Sequence, residues 1–427
     1  MITLKQTFRL GILSLAVSYS MSVMAASPQE KAEIAQLRQE IQELRTWVEQ
    51  QQVAQNKTAV DVSQLQTVKT QALSKQSNAN LASGAEISFY GNVRLDASYQ
   101  AEGSAADRIY NNMNKVPLEG HGEASDRFKS TLSATRLGTD LKSQLNGQDV
   151  RAKIEVDFLG GTNFDSLRIR HAYINYENWL IGQTWTNFSG PEFLPETADA
   201  MSYVGGTVKR TPQVRYSHKV GHAMNLILAL EDSNDASSKM RFPAFIARVN
   251  YKINPESSIS LRAMANEKRT DSDDLMAWGM GLGLNYTLTE NTTLKADYFH
   301  VKGDSSFVAW SNPGFSRDES GKILDSNEFD SIILGLTQQF NPKWHGTLGF
   351  GYMKADISDR YKLGKITSTE INKQLWQGWA NVFYNPVKPI NFGFEYVYGE
   401  RKAIVEAPNG SNVGKDNRVS AVAIYSF

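Results

Sequence analysis

The sequence predicts an all-β membrane protein: an antiparallel transmembrane β-barrel of about sixteen strands, preceded by a short α-helical coiled coil. Three observations carry that expectation. Apolar and polar residues alternate in segment after segment from Ile87 to Phe427. Tight turns carrying Asn, Gly or Pro alternate with long polar loops, as in barrels with short turns on one side of the membrane and long loops on the other. Beyond residue 26 no run reaches the roughly 20 apolar residues that a spanning helix needs.

The segment Arg418–Phe427 shows the pattern most sharply. Val419, Ala421, Ala423, Tyr425 and Phe427 share one face, and Arg418, Ser420 and Ser426 share the other with Val422 and Ile424 between them. An aromatic residue in the last position with Tyr425 two before it resembles the C-terminal signal of bacterial outer-membrane barrels. In such a barrel the last strand pairs with the first, which removes the open edge that lipid could not satisfy. At the other end Lys5 and Arg9 precede the apolar run Leu10–Val17, and Val23-Met-Ala25 offers small residues for cleavage, so residues 1–26 read as a secretory signal. Export then makes the bacterial outer membrane the destination, with the N-terminal segment in the periplasm. Lysine plus arginine (45) balance aspartate plus glutamate (45), so no polyanionic partner such as nucleic acid is implied. Any charge preference must come from where the charges stand. The absence of cysteine suits an envelope protein.

In residues 27–50, Ile34, Leu37, Ile41, Leu44 and Val48 recur at intervals of three and four, the a/d seam of a coiled coil. Glu33 and Glu40 take g positions, and Arg38 and Arg45 take e positions, where they can bridge parallel neighbours. The alternative is one amphipathic helix lying on the barrel. Isoleucine or valine at a with leucine at d nominally favours dimers. Residues 51–86, rich in Gln, Ser, Thr, Asn and Ala, read as a frayed coil and flexible linker.

The barrel is expected over residues 87–427. Ile87, Phe89, Val93, Leu95 and Ala97 alternate with Ser88, Tyr90, Asn92, Arg94 and Asp96, apolar outward and polar inward. The turn Asn146-Gly147 follows a return strand and is the strongest hairpin signal in the chain. Val150 to Phe158 then alternate with Arg151, Lys153, Glu155 and Asp157, four charges that a wet lumen tolerates and a dry core does not. Further turns fall at Glu177-Asn178, Val220-Gly221, Asn254-Pro255, Glu290-Asn291, Asn341-Pro342 and Asn385-Pro386. Longer polar loops lie near residues 100–126, 159–166, 187–210, 232–242, 267–275, 302–328, 354–371 and 399–416. Odd-numbered side chains are expected to touch hydrocarbon along most of the chain. Trp278, Tyr286, Tyr298, Trp344, Tyr352, Trp376, Tyr384, Phe394, Tyr396 and Tyr398 read as interfacial girdles. Inward glycines in 280–284 and 348–351 mark strong curvature, close packing or an oligomer-contact wall.

Alternation places Arg94, Arg136, Lys142, Arg151, Lys153, Arg168, Arg170, Arg215, Arg248, Arg262 and Lys295 inside, against Asp96, Asp140, Glu155, Asp157, Asp297 and Glu395. An excess of arginine draws anions and grips carboxylates bidentately. Around Arg168 the register conflicts with itself: Ala172 and Ile174 share parity with Arg168 and Arg170, which sends His171 and Asn175 to lipid. The segment Asn187–Arg210, with Glu192, Glu196, Asp199, Pro191, Pro195, Gly205, Gly206, Lys209 and Arg210, suits a compact loop that folds back on itself. The alternative is a loop lying on the surface.

Arg168-Ile-Arg-His-Ala-Tyr173, Gly182-Gln-Thr-Trp185, Pro191-Glu-Phe-Leu-Pro-Glu196 and Pro212-Gln-Val-Arg-Tyr216 together resemble the DcaP-type dicarboxylate porins, outer-membrane channels with a periplasmic coiled coil before the barrel. The resemblance covers essentially the mature chain. It implies a homotrimer of sixteen-stranded barrels, each narrowed by an inward-folded third loop and passing small dicarboxylates or similar anions. Its acidic loop residues would oppose the basic wall. Helix and barrel then point to different stoichiometries, and a short coil can follow a trimerising body.

No Gly-x-Ser-x-Gly, His-Glu-x-x-His or zinc-cysteine pattern is present, so no catalytic, metal or cofactor site is expected. The six histidines are scattered, which suits surface or interfacial positions. Two other classes stay open: an outer-membrane hydrolase with distant catalytic partners, and a structural anchor whose coil contacts the cell wall.

Overall fold

The computed structural model describes Gln42, residues 79–80, and residues 85–427 except 104–108, 121–124, 364–368 and 409. The expected signal, the coiled coil apart from Gln42, and most of the linker therefore lie outside the described residues. The chain divides into the units Met1–Lys75 and Gln76–Phe427, and the barrel is the second.

Strands β1 (Glu86–Glu102), β2 (Arg136–Leu145), β3 (Gln148–Gly160), β4 (Ser166–Tyr176), β5 (Trp179–Trp185) and β6 (Arg210–Val220) form the first part of the wall. The wall continues through β7 (Met224–Glu231), β8 (Ala244–Lys252), β9 (Ser258–Arg269), β10 (Asp274–Thr289) and β11 (Thr292–Lys302). It is completed by β12 (Glu328–Asn341), β13 (Trp344–Asp356), β14 (Asn372–Tyr384), β15 (Ile390–Ala403) and β16 (Val413–Ser426). Two short pieces pair alongside β1: Arg127–Thr131, which extends the line of β2, and Ala79–Asn80, within the segment read as linker. Every neighbouring pair is antiparallel, and β1 pairs with β16 from Asn92↔Ser426 to Glu102↔Asn417, closing the sheet. Gly91 and Phe427 complete the seam with two backbone hydrogen bonds of 3.0 Å each. A Cβ at position 91 would stand 2.3 Å from the Arg136 carbonyl oxygen and 2.8 Å from the Phe427 ring, which is why the seam needs glycine there.

All seven expected turns connect strands. Asn146 (φ 51°) and Gly147 (φ 80°) both take the left-handed region, the conformation that a two-residue turn needs to match strand twist. The expected parity is corrected. Odd residues face outward in β1, with Phe89, Val93 and Leu95 exposed, but even ones do in β10, with Met276, Trp278, Met280 and Leu282 exposed. Loops of odd and even length reset the parity, whereas alternation within each strand persists. The aromatic residues do gather outward near strand ends. Trp344 stacks on Tyr384 at 4.4 Å at the turn end, and Trp376 lies 5.6 Å from Tyr398 toward the loop end.

The conflict around Arg168 has a structural answer. Pairing between β3 and β4 shifts from Val156↔Ile169 to Glu155↔His171, so Arg170 is the extra residue of a β-bulge. Arg168, Arg170 and His171 consequently all point inward, and Ala172 and Ile174 turn outward. His171 is buried and its Nδ1 lies 2.9 Å from Thr184 Oγ1, which corrects its expected surface placement.

Eight segments, six of them long, join the strands at the other end, at 103–135, 161–165, 186–209, 232–243, 270–273, 303–327, 357–371 and 404–412; they are loops 1 to 8. Loops 4 and 6 are clamped over the lumen by the buried Lys268 of β9, whose Nζ lies 2.6 Å from Asp235 and 2.7 Å from Asp304. Burial raises the Asp235 carboxyl, but Lys268 and hydrogen bonds from Ser237 outweigh it and hold Asp235 below its ordinary value of 3.8. A depressed carboxyl stabilises the fold above its unfolded value and loses that contribution as pH falls through the folded one. The melting-temperature difference between wild type and Asp235→Asn is therefore expected to be constant above about pH 5 and to shrink below pH 4, as calorimetry in detergent would read.

Candidate functional site: the lumen and loop 3

Loop 3 is laid along the inner wall, and its seats were written into distant strands. At its start Thr186 Oγ1 and the Asn187 backbone N–H donate to the buried Glu231 carboxylate at 2.6 and 2.7 Å. Phe188 packs 5.4 Å from Phe299, and its carbonyl accepts from Arg262 at 3.1 Å. A short 3₁₀ turn, Pro191–Phe193, brings Glu192 onto Arg248. The Phe193 ring lies beneath the guanidiniums of Arg248 and Arg262, at 5.7 and 5.4 Å. Glu196 pairs with His345 at 2.9 Å, and its carbonyl accepts from Trp379 Nε1 at 3.1 Å and Asn381 Nδ2 at 2.9 Å.

The buried Glu395 gathers the loop's middle. Thr197 Oγ1 and the Ala198 N–H donate to it at 3.0 Å each, and Tyr203 O–H at 2.5 Å. Arg94 reaches the Ala198 carbonyl at 2.5 Å, and Asp199 pairs with Arg418 at 3.0 Å.

The inward glycines are the floor under this path. A Cβ on Gly283 would fall 2.4 Å from the Phe193 ring, one on Gly335 2.5 Å from Pro195, and one on Gly351 1.9 Å from the Val204 carbonyl oxygen. Of the three readings open for the inward glycines, close packing describes them: the partner is loop 3 at Gly283 and Gly351, and a wall ring at Gly281 (Phe299) and Gly349 (Trp379). The loop is thus tied or packed to every strand from β6 through β16, and to β1. Among the described residues no hydrogen bond or ion pair ties it to β2, β3 or β4.

The predicted site residues separate into three groups. The first is paired. Arg94 binds Asp96 at 2.6 Å, Arg168 binds Asp157 at 2.7 Å, and Arg170 bridges Glu155 and Asp157 at 2.5 and 2.8 Å. Arg262 pairs with Asp297, both fully buried, Arg248 with Glu192, and Lys153 with Asp140 at 3.2 Å. The second group is inward without a carboxylate. Arg136 has no hydrogen-bond acceptor among the described residues and stands in the field of Arg170 and Arg94 and of the carboxylates Glu155 and Asp157. Arg210 lies over the Trp185 ring at 4.4 Å with its Nη1 buried and unpartnered, close to Arg168, Arg170 and Arg136. Arg215 has one bond, 3.2 Å to Asn187 Oδ1, and a buried Nε without a partner.

The third group departs from expectation. Arg151 sits beside the turn at 146–147 with 63% of its side chain exposed and only Asp149 near, at 3.9 Å; it belongs to the barrel's mouth. Asp199, expected among acidic residues opposing the basic wall, is buried against Arg418 and anchors the loop instead. Glu192 and Glu196 stay 43% and 41% exposed at the side chain, yet each is held by a wall cation. Lys209, at the loop's exit, lies in the field of Asp304 and Asp235 under loops 6 and 4. Glu231, Glu395 and Gln377, whose Oε1 accepts from the Val204 N–H at 3.2 Å, were missed as loop anchors. Their only sequence signal was a polar residue at an inward position, which a wet lumen would explain equally well.

Removing Arg170 would leave Asp157 and Glu155 short of a cation in a buried setting, which costs about 3–5 kcal/mol. Arg170→Ala is therefore expected to lower the melting temperature of the folded barrel, measured by heating and gel mobility. Among the described residues no group of three or more His, Cys, Asp or Glu side chains is placed to hold a metal ion.

A closed sixteen-strand barrel, apolar outside and charged inside, with its third loop folded in, defines the porin class of outer-membrane channels. The chain belongs to the DcaP outer membrane protein family, whose model matches residues 19–427. It is similar to the outer membrane channel DcaP of Acinetobacter baumannii, with 34% identity over 82% of this chain and 99% of that one and a TM-score of 0.74. The anion-selective porin from Comamonas acidovorans shares the fold at 12% identity, over 80% of this chain and 100% of that one, with a TM-score of 0.55. The trimer form of OmpT, an outer membrane protein of Vibrio cholerae, shares it at 13% identity, over 80% and 99%, with a TM-score of 0.52. No curated protein sequence matches the chain.

Proposed function

We propose that the protein is a passive, anion-preferring channel for small dicarboxylates. One observation carries this reading. Loop 3 spends its carboxylates on the wall cations Arg248, His345 and Arg418, while Arg136 on β2 and Arg210 and Arg215 on β6 have no ion-pair partner among the described residues. A guanidinium that lacks an internal acceptor offers its planar fork to a passing carboxylate. Arg168, 30% exposed at its side chain, adds to the same field. A solute with two carboxylates can engage two such arginines at once, whereas a monoacid engages one.

The same reading has the exported chain lose residues 1–26 and keep its 27–50 coil in the periplasm, within reach of the cell wall. It assembles as a homotrimer, the form in which one OmpT neighbour was solved. Single-channel recordings in planar bilayers test the solute class. Succinate is expected to block the current at lower concentration than acetate, and a neutral sugar of similar size not to block. Equal effects of all three would reject it.

A further inference from the structure

The outer wall carries a charged site that the channel reading does not use. On β13, β14 and β15 one outward rung reads Lys354, Gln374 and Lys402, set opposite one another by strand register. Between Asn372 and Gln374 the pairing with β15 shifts, and Lys373 is the extra residue of that bulge, exposed beside the rung. Lys362, from the short helix Asp359–Leu363 of loop 7, completes a cleft of about 690 Å³ that also contains Asp330 and Asp356.

The charges in this cleft are unevenly satisfied. Asp330 accepts from Tyr298 O–H at 2.5 Å and lies 3.0 Å from His300 Nδ1, and Lys362 pairs with Asp359 at 2.8 Å. Lys354, Lys373 and Lys402 have no ion-pair partner among the described residues. One dyad nearer the membrane centre, Tyr352 pairs in register with Trp376, whose ring lies 5.6 Å from Tyr398. Aromatic residues of this kind mark the level at which hydrocarbon gives way to headgroups. The lysines therefore stand at headgroup depth on the long-loop side, facing away from the lumen. Lys354 and Lys402 are two strands apart, roughly 10 Å between backbones, and flexible stems let both ammonium groups converge on one ligand.

We infer that this cleft binds the phosphate groups of an anionic outer-leaflet lipid, one molecule per barrel. The acyl chains would run down the wall of β13 and β14, past Tyr352, Trp376 and Phe350, beside Glu400 of β15, which stands in the same rung as Trp376 and accepts from Tyr398 O–H at 3.1 Å. Each basic residue near an anionic headgroup contributes about fivefold to such binding, so three lysines give about 100-fold.

The test uses the full-length protein in neutral detergent, titrated with a bis-phosphorylated, acylated glucosamine disaccharide and followed by native mass spectrometry. Wild type is expected to retain one lipid per chain. Lys354→Gln, Lys373→Gln and Lys402→Gln combined should bind about 100-fold more weakly, while Lys343→Gln with Lys388→Gln, exposed lysines at the turn end, should bind as wild type does. Gel mobility before and after heating verifies that each variant is folded. Equal binding by the triple variant, or undiminished binding of the dephosphorylated lipid, would overturn the inference. Inorganic phosphate displacing the lipid at equal concentration would also overturn it, by showing a phosphate site with no contribution from the acyl chains.

Discussion

Glu395→Leu is expected to raise single-channel conductance severalfold and make the current noisy. Glu395 is fully buried and accepts hydrogen bonds from Thr197, Ala198, Tyr203 and Asn381, three of them from loop 3. Leucine has a similar volume but accepts nothing, so the loop's donors are left unsatisfied, at about 1–3 kcal/mol each. That total is comparable to the stability of many local substructures, and loop 3 should leave the wall for part of the time. The barrel itself, held by interstrand ladders, should keep its gel mobility. An unchanged, quiet conductance would mean that the remaining anchors at Glu231, Arg248 and Gly351 suffice to hold the loop.

Arg136→Ala combined with Arg210→Ala is expected to weaken succinate block by about tenfold or more, since a hydrogen bond to a charged group is worth about 1.5–3 kcal/mol. Neither guanidinium has an ion-pair partner among the described residues, so their removal breaks no direct pair and leaves Asp157 and Glu155 with Arg168 and Arg170. That distinguishes them from Arg170, whose replacement takes the arginine from Glu155 and leaves Asp157 with Arg168 alone. The expected signature is therefore a large change in block with little change in melting temperature. A large drop in stability with unaltered block would instead assign the pair a structural role.

Local alternation made the barrel legible, because each strand's pattern is set by the two media it separates. Val150 to Phe158 needed no distant partner to be read. Turn chemistry at Asn146-Gly147 and the Asn-Pro turns fixed the hairpins for the same local reason. Parity along the whole chain was not legible, since one residue more or less in a loop reverses it. The bulge at Arg170 could be sensed only as a contradiction, with Arg168 and Ala172 demanding opposite faces at the same parity.

The site was less legible than the wall. An inward arginine looks the same in sequence whether it clasps a carboxylate, as Arg262 does, or stands free, as Arg136 does. Which one it does depends on a strand up to hundreds of residues away, as with Arg94 and Ala198 or Asp199 and Arg418. The glycines of β10 and β13 were visible as an anomaly, and Gly335 of β12 was not. Their meaning required knowing that Phe193, Pro195 and Val204 would be laid over them.

The central claim is that the lumen's excess charge is positive at Arg136 and Arg210, which have no ion-pair partner among the described residues. The reversal potential of the wild-type protein in a planar bilayer, under a tenfold potassium chloride gradient, tests it directly. A potential whose sign gives chloride the higher permeability, reduced toward zero in the Arg136→Ala, Arg210→Ala variant, is predicted. A potential favouring potassium would contradict it.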